Sequence, residues 1–255
     1  MKRLAAFLLA AACAGAAPAQ TVDGPRRSGF ADMGPALQAI QKDDLANPAM
    51  LAVAQGEALW SERAGAAAKS CADCHGDAAS MRGVATRYPA VDPRTGAVAT
   101  LDARIAGCRT EYQQVQPRPP ESPARLALLA FVSRQSRGLP ISPAAGPGMD
   151  EAAAAGERLW RTRFGQLDLA CAECHDARAG AKLAGVTIPQ AHPTGYPLYR
   201  SEWQAVGSLE RRIRNCMTGI RAEPFAYASR EHTALEAWLM RRASGMEWET
   251  PAVRP

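Results

Sequence analysis

Apolar positions along this chain gather in short stretches rather than in long uninterrupted runs. Leu, Ala, Arg and Glu dominate the periodic segments, and Pro and Gly collect between them, which predicts short helices joined by long loops. Strand signals are weak, so the fold class expected is all-α. Two apolar helices stand out, Arg125–Arg137 and Arg230–Ser244, each followed by a glycine (Gly138 and Gly245) where a helix C-cap belongs. Asn47-Pro48 offers an N-cap and a first helical residue for an earlier helix.

The pattern occurs twice. Gly56-Glu57-Ala58-Leu59-Trp60 leads into Cys71-Ala72-Asp73-Cys74-His75, and one hundred positions later Gly156-Glu157-Arg158-Leu159-Trp160 leads into Cys171-Ala172-Glu173-Cys174-His175. Further on, Leu101-Asp102-Ala103-Arg104-Ile105 precedes Cys108, and Leu209-Glu210-Arg211-Arg212-Ile213 precedes Cys216. Each half then closes on one of the two apolar helices. A Pro/Gly linker, LPISPAAGPGMD at 139–150, separates them. The organisation expected is a tandem duplication: a leader at 1–19, an extension at 20–47, a first domain at 48–138, the linker, and a second domain at 151–255.

The leader is read from Lys2-Arg3, the apolar run Leu4–Ala14 and the small residues Ala17-Pro18-Ala19, the three parts of a cleavable export signal. That run is too short to span a bilayer, so an exported, periplasmic protein without a membrane span is expected. Cys13 raises a lipoprotein alternative, but the alanines before it make a poor acylation signal, and cleavage removes it. Two of the five formal positive charges belong to the leader. What remains is mildly basic, with no Lys/Arg run interleaved with aromatics, and nucleic acid is not suggested.

CADCH and CAECH are both C-x-x-C-H, the attachment signature of c-type haem. Thiols three positions apart reach the two vinyl groups of one porphyrin, and the adjacent histidine stands over the iron. A thioredoxin-like motif would want an α/β setting, and zinc would want further Cys or His at ligand spacing; neither is present. Two covalent haem c groups are expected, on Cys71 and Cys74 and on Cys171 and Cys174, with His75 and His175 as proximal ligands. Trp60 and Trp160, eleven residues before each motif, suit either a haem face or the core.

The sixth ligand follows by elimination. Between Gly76 and Gly138 there is no His or Lys, and Met81 sits too close to His75 to reach the opposite face, which leaves Cys108. The second half offers His192, His232 and Met217 as well, but Cys216 holds the place equivalent to Cys108. His192 and His232 are read as surface or propionate-contacting residues, and Met217 as core. A Cys108–Cys216 disulfide is the competing assignment. Thiolate ligation would stabilise ferric iron and make a poor generic shuttle, which points to sulfur chemistry at the metal.

At these residues the chain resembles the SoxA family, the dihaem cytochrome c subunits of the SoxAX complexes of bacterial sulfur oxidation. The resemblance covers nearly the whole chain after the leader. It rests on the paired motifs, the cysteine after each, and Arg212-Ile213-Arg214-Asn215-Cys216. It implies two tandem cytochrome c domains, a monohaem partner cytochrome SoxX, and L-cysteine S-thiosulfotransferase activity that couples thiosulfate to a cysteine of the SoxYZ carrier. It also implies that Cys216 is the catalytic cysteine, held as a persulfide on the haem iron, and that Arg212 binds substrate. The spacing suits this, because Arg212 and Cys216 are i and i+4 on a helix and a guanidinium pairs bidentately with a small dianion. Arg211, Arg214 and Arg221 add field or a solvated face. Two rivals stay open: a dihaem electron carrier without a substrate, and a dihaem peroxidase, which needs one labile distal site.

Overall fold

The computed structural model describes residues 25–255, so the expected leader and Cys13 lie outside the described residues. The extension carries α1 (Pro35–Lys42). The first half follows with α2 (Met50–Ser61), α3 (Ala72–His75), a hairpin of β1 (Ala90–Val91) and β2 (Val98–Ala99), α4 (Leu101–Cys108) and α5 (Pro123–Arg134). The second half repeats that order: α6 (Pro147–Arg161), α7 (Cys171–His175), an added hairpin of β3 (Lys182–Leu183) and β4 (Val186–Thr187), then β5 (Leu198–Arg200), β6 (Ala205–Gly207), α8 (Leu209–Gly219) and α9 (Arg230–Arg242). Residues Ala252–Arg254 form β7, parallel to β5 and opposite its antiparallel neighbour β6.

The expectation of an all-α chain is therefore corrected. Helices dominate, but seven strands of two or three residues pair among the described residues. Strands this short carry no readable alternation.

In each half the first helix packs on the last, α2 on α5 and α6 on α9. The glycine of each repeated Gly-Glu-x-Leu-Trp block makes that packing possible. A β-carbon on Gly56 would stand 2.1 Å from the Ala127 carbonyl oxygen, and one on Gly156 2.0 Å from that of Ala234. Only glycine lets the helices meet backbone to backbone. Trp60 and Trp160, one turn further on, are then buried in the two main clusters, with Leu128 and Phe131 in one and Leu235 and Leu239 in the other. α5 and α9 end at Arg134 and Arg242, a turn before Gly138 and Gly245, which both take a left-handed conformation (φ 80° and 82°).

The segment read as a linker is docked at its start. Ile141 is 1% exposed inside the first cluster, alongside Met240, Ala243 and Trp248 from the other half. Leu139 and Ile141 exchange backbone hydrogen bonds with residues 245–248, and α6 already begins at Pro147. The extension ties down the far end of the chain. Gln41 Oε1 accepts from the Val253 N–H at 3.1 Å, and the Asn47 amide donates to the Pro251 carbonyl at 3.0 Å. Asn47 Oδ1 also accepts from the Ala49 N–H, a cap for the turn that enters α2.

Candidate active site

Each C-x-x-C-H segment is a single helical turn whose internal acid caps its own start. Asp73 accepts from the Ser70 N–H, Glu173 from the Ala170 N–H, and Arg63 and Arg163 pair with these same carboxylates. All six cysteines among the described residues are free, so no Cys108–Cys216 disulfide forms. The histidines stack on the repeat tryptophans: Trp60–His75 centroids are 5.7 Å apart and Trp160–His175 5.6 Å, both inclined at 34°. The tryptophan N–H groups donate to the Gly76 carbonyl and to Asp176. Of the roles weighed for these rings the core role is the one observed, and each ring is also a wall that orients a histidine. In the second half His175 Nδ1 lies 2.7 Å from the Pro189 carbonyl, which fixes the ring and leaves Nε2 for a metal.

α4 and α8 bring in the sulfurs that face them. Their N-caps are equivalent, Thr100 accepting from the Ala103 N–H and Ser208 from the Arg211 N–H. Cys108 ends α4 and runs on into a π-turn, Arg109–Gln113. Beside it the Cys71 thiol is pushed up by burial despite Arg109 and a 3.7 Å contact from Gln113. Cys216 lies inside α8 with its sulfur against the His175 ring. Burial pushes this thiol up, but the ring, then Arg212, then Arg200 outweigh it and bring it down to about 7. Cys171, beside it, is pushed up to about 12 by burial and by Cys216.

Arg212 is half-buried on the same face as Cys216 and makes no ion pair among the described residues. Its counterpart Arg104 is engaged, 3.4 Å from Asp92, which also binds Arg94 at 2.8 Å. Of the other arginines considered, Arg211 lies over the Trp203 ring at 4.3 Å, and Arg214 lies over Tyr227 and donates to the Phe225 carbonyl. They belong to packing. The second cation acting on Cys216 is Arg200 at the end of β5, which the sequence reading overlooks. The signal was present: Tyr88-Pro89 and Tyr196-Pro197 extend the repeat upstream and set position 200 against 92.

The two histidines lie in different settings. His232 is fully buried rather than on the surface, its Nδ1 on the Ala226 carbonyl and its ring edge-on to Phe225. His192 has both ring nitrogens buried without a partner among the described residues. Met217 is buried, in keeping with a core role. The donor set fits haem c: two free thiols per motif, an oriented imidazole, a sulfur brought to face it in the second half, and orphaned polar atoms at His192 that a propionate would satisfy.

Comparison with known proteins agrees with this chemistry. A family model described as SoxA/TsdA, cytochrome c domain, matches residues 55–141 and again 155–248. The L-cysteine S-thiosulfotransferase subunit SoxA of Pseudaminobacter salicylatoxidans is 36% identical over 216 residues, 84% of this chain and 76% of that protein. The protein of the same name from Rhodovulum sulfidophilum is 33% identical over 229 residues, 89% of this chain and 80% of that one. The crystal structure of SoxXA from P. pantotrophus superimposes with a TM-score of 0.87 at 29% identity, over 90% of this chain and 87% of that chain. On the strength of this architecture and these matches, the chain belongs to the SoxA/TsdA cytochrome c domain family.

Proposed function

We propose that the protein is the SoxA-type subunit of an L-cysteine S-thiosulfotransferase, which joins thiosulfate oxidatively to a cysteine of a SoxYZ carrier. In the balanced step a thiol and a thiosulfate dianion form one S–S bond, giving an S-thiosulfonate, one proton and two electrons. Haem c supplies the redox capacity that takes up those electrons. Cys71 and Cys74 would hold one haem and Cys171 and Cys174 the other, with His75 and Cys108 as the iron-binding residues of the first and His175 and Cys216 as those of the second. Arg212 orients the anion, and Cys216 is the catalytic cysteine beside it, carried as a persulfide that enters and leaves the balanced step unchanged.

The observation that carries this reading is the Cys216 sulfur packed on His175 beside an arginine that makes no ion pair among the described residues. The thiolate form of such a thiol is well populated near neutral pH and is within reach of an oxyanion held by Arg212. The repeated helix pair and the two family matches support two cytochrome c domains, close to 48–138 and 151–255. A monohaem SoxX partner is placed against the second half. Exposed Leu167, Leu183 and Val186 flank its attachment helix in the chain and offer an apolar footing. A periplasmic setting rests on the leader, and among the described residues no helix is long and apolar enough to cross a membrane.

Intact mass spectrometry under non-reducing conditions tests the proposal. Two haem adducts are expected, with one extra sulfur on the Cys216 peptide. Cys216→Met should abolish thiosulfate-dependent modification of the carrier while both haems stay attached. A Cys216→Met protein that still modifies the carrier at the wild-type rate would leave only the electron-carrier reading.

A further inference from the structure

The two halves place opposite charges at one position. In the first hairpin Ala90 pairs with Ala99 and Val91 with Val98; in the second Leu198 pairs with Gly207 and Tyr199 with Val206. Each residue lies 108 positions before its counterpart, the same offset that relates Cys108 to Cys216 and Arg104 to Arg212. The next residue along is Asp92 in the first hairpin and Arg200 in the second, each 9% exposed.

The consequences for charge are opposite. Asp92 contacts Arg104 directly and Arg94 as well, and Arg94 pairs in turn with Glu111. The first-half arginine is thus neutralised by a carboxylate at the very position where the second half has a cation. Arg200 has one guanidinium nitrogen 3.1 Å from the half-exposed Glu202, while its Nε is buried without a partner among the described residues. Its plane lies 5.4 Å from the Trp203 ring, which is also overlain by Arg211, so the side chain is walled in place. The sheet also pairs Arg200 in register with Arg254 of β7, which fixes the backbone beneath it. Burying a guanidinium beside a second one is unfavourable unless an anion completes the set.

We propose that Arg200 is a specificity-determining residue, the second cation that with Arg212 makes the second-half site accept a sulfur oxyanion dianion, while Asp92 bars that anion from the equivalent first-half site. This rests on the thiosulfate-coupling reading of the same site. It accounts for why two halves with matching haem motifs and matching Arg-x-x-x-Cys spacings do different work. Arg212 alone gives a dianion one unit of positive charge, and Arg200 adds a second that the solvent-exposed carboxylate of Glu202 offsets only in part. With Asp92 in that place, the net charge offered to an anion is close to zero.

The experiment uses the haem-loaded protein with its partner cytochrome, at low ionic strength. Thiosulfate binding is measured by calorimetry, and carrier modification by kinetics. Arg200→Met is expected to weaken thiosulfate binding about 30-fold, equivalent to about 2 kcal/mol, with KM following and kcat changed less than about threefold. Arg200→Lys should recover binding to within about threefold of wild type. Glu202→Gln breaks the ion pair but keeps the cation, so it should tighten binding about two- to threefold. A purely structural Arg200 predicts the reverse, with Glu202→Gln weakening binding as Arg200→Met does. Equal thiosulfate affinity in wild type and Arg200→Met overturns the proposal, whatever the turnover shows. If Arg200→Met does not fold, the sign of the Glu202→Gln effect decides. Wild-type binding that needs Arg200, without any carrier modification, would overturn the coupling reaction and leave the dianion site standing.

Discussion

Gly156→Ala puts the helix pair of the second half to a direct test. The added carbon would lie 2.0 Å from the Ala234 carbonyl oxygen and 2.8 Å from Trp238 Cβ, where ordinary contacts begin at 3.4 Å. Backbone, not a pliable side chain, stands in the way, so α6 and α9 must part by about 1.4 Å. Overpacking of this kind costs up to ~3 kcal/mol or somewhat more. The opened seam then forfeits dispersion around Trp160, Leu235 and Leu239. Alanine's higher helix propensity returns about 1 kcal/mol. The balance is a loss of about 3 kcal/mol, or roughly 6–12 °C in Tm for a chain of this size. Thermal melts of the haem-loaded protein followed by circular dichroism should show that drop. Gly219→Ala, at an exposed site with nothing within 4 Å, is the matched control and should leave Tm within about 2 °C. A Gly156→Ala protein that melts with the control would refute the close-packing account of the repeated block.

Three further outcomes are expected. Ile141→Ala should cost about 2–5 kcal/mol in denaturant unfolding, because the residue is 1% exposed in the shared cluster; a loss below about 1 kcal/mol would mean that the segment behaves as a free linker. Ser208→Ala removes the cap accepted from the Arg211 N–H and should lower stability by about 1 kcal/mol, with a Tm shift similar to that of Thr100→Ala in the first half. Glu236 is pushed up to about 8 by burial, then by Glu210 and Asp102. Its folded value lies above its unfolded one, so its contribution to stability is complete below the ordinary glutamate range and disappears as pH rises through about 8. Wild-type Tm should therefore fall between pH 6 and pH 9 by more than that of Glu236→Gln; parallel profiles would show that the carboxyl is not held neutral.

Much of the site is legible in the sequence, because covalent and coordination chemistry fix residue spacings within one short helix. The C-x-x-C-H pairs, the trailing cysteines and the closing apolar helices are of this kind. Arg200 is less legible. Its meaning comes from facing α8 across a hairpin whose strands are three residues long, and nothing local to Tyr-Arg-Ser-Glu marks an anion site. The docked start of 139–150 escapes for a different reason. Leu139-Pro140-Ile141 has linker composition, and only its pairing with residues 245–248 turns Ile141 inward. Gly56 and Gly156 stand inside a repeated block. What could not be read there is that a missing side chain, rather than a present one, brings two helices into contact.

Met240, Ala243 and Trp248 lie in the same cluster as Val53, Trp60 and Phe131, although they belong to different copies of the repeat. The two halves share one interior, and neither closes it alone. Either copy expressed by itself would leave a raw apolar wound where its twin belongs. Heat or denaturant should therefore dismantle both halves in one event.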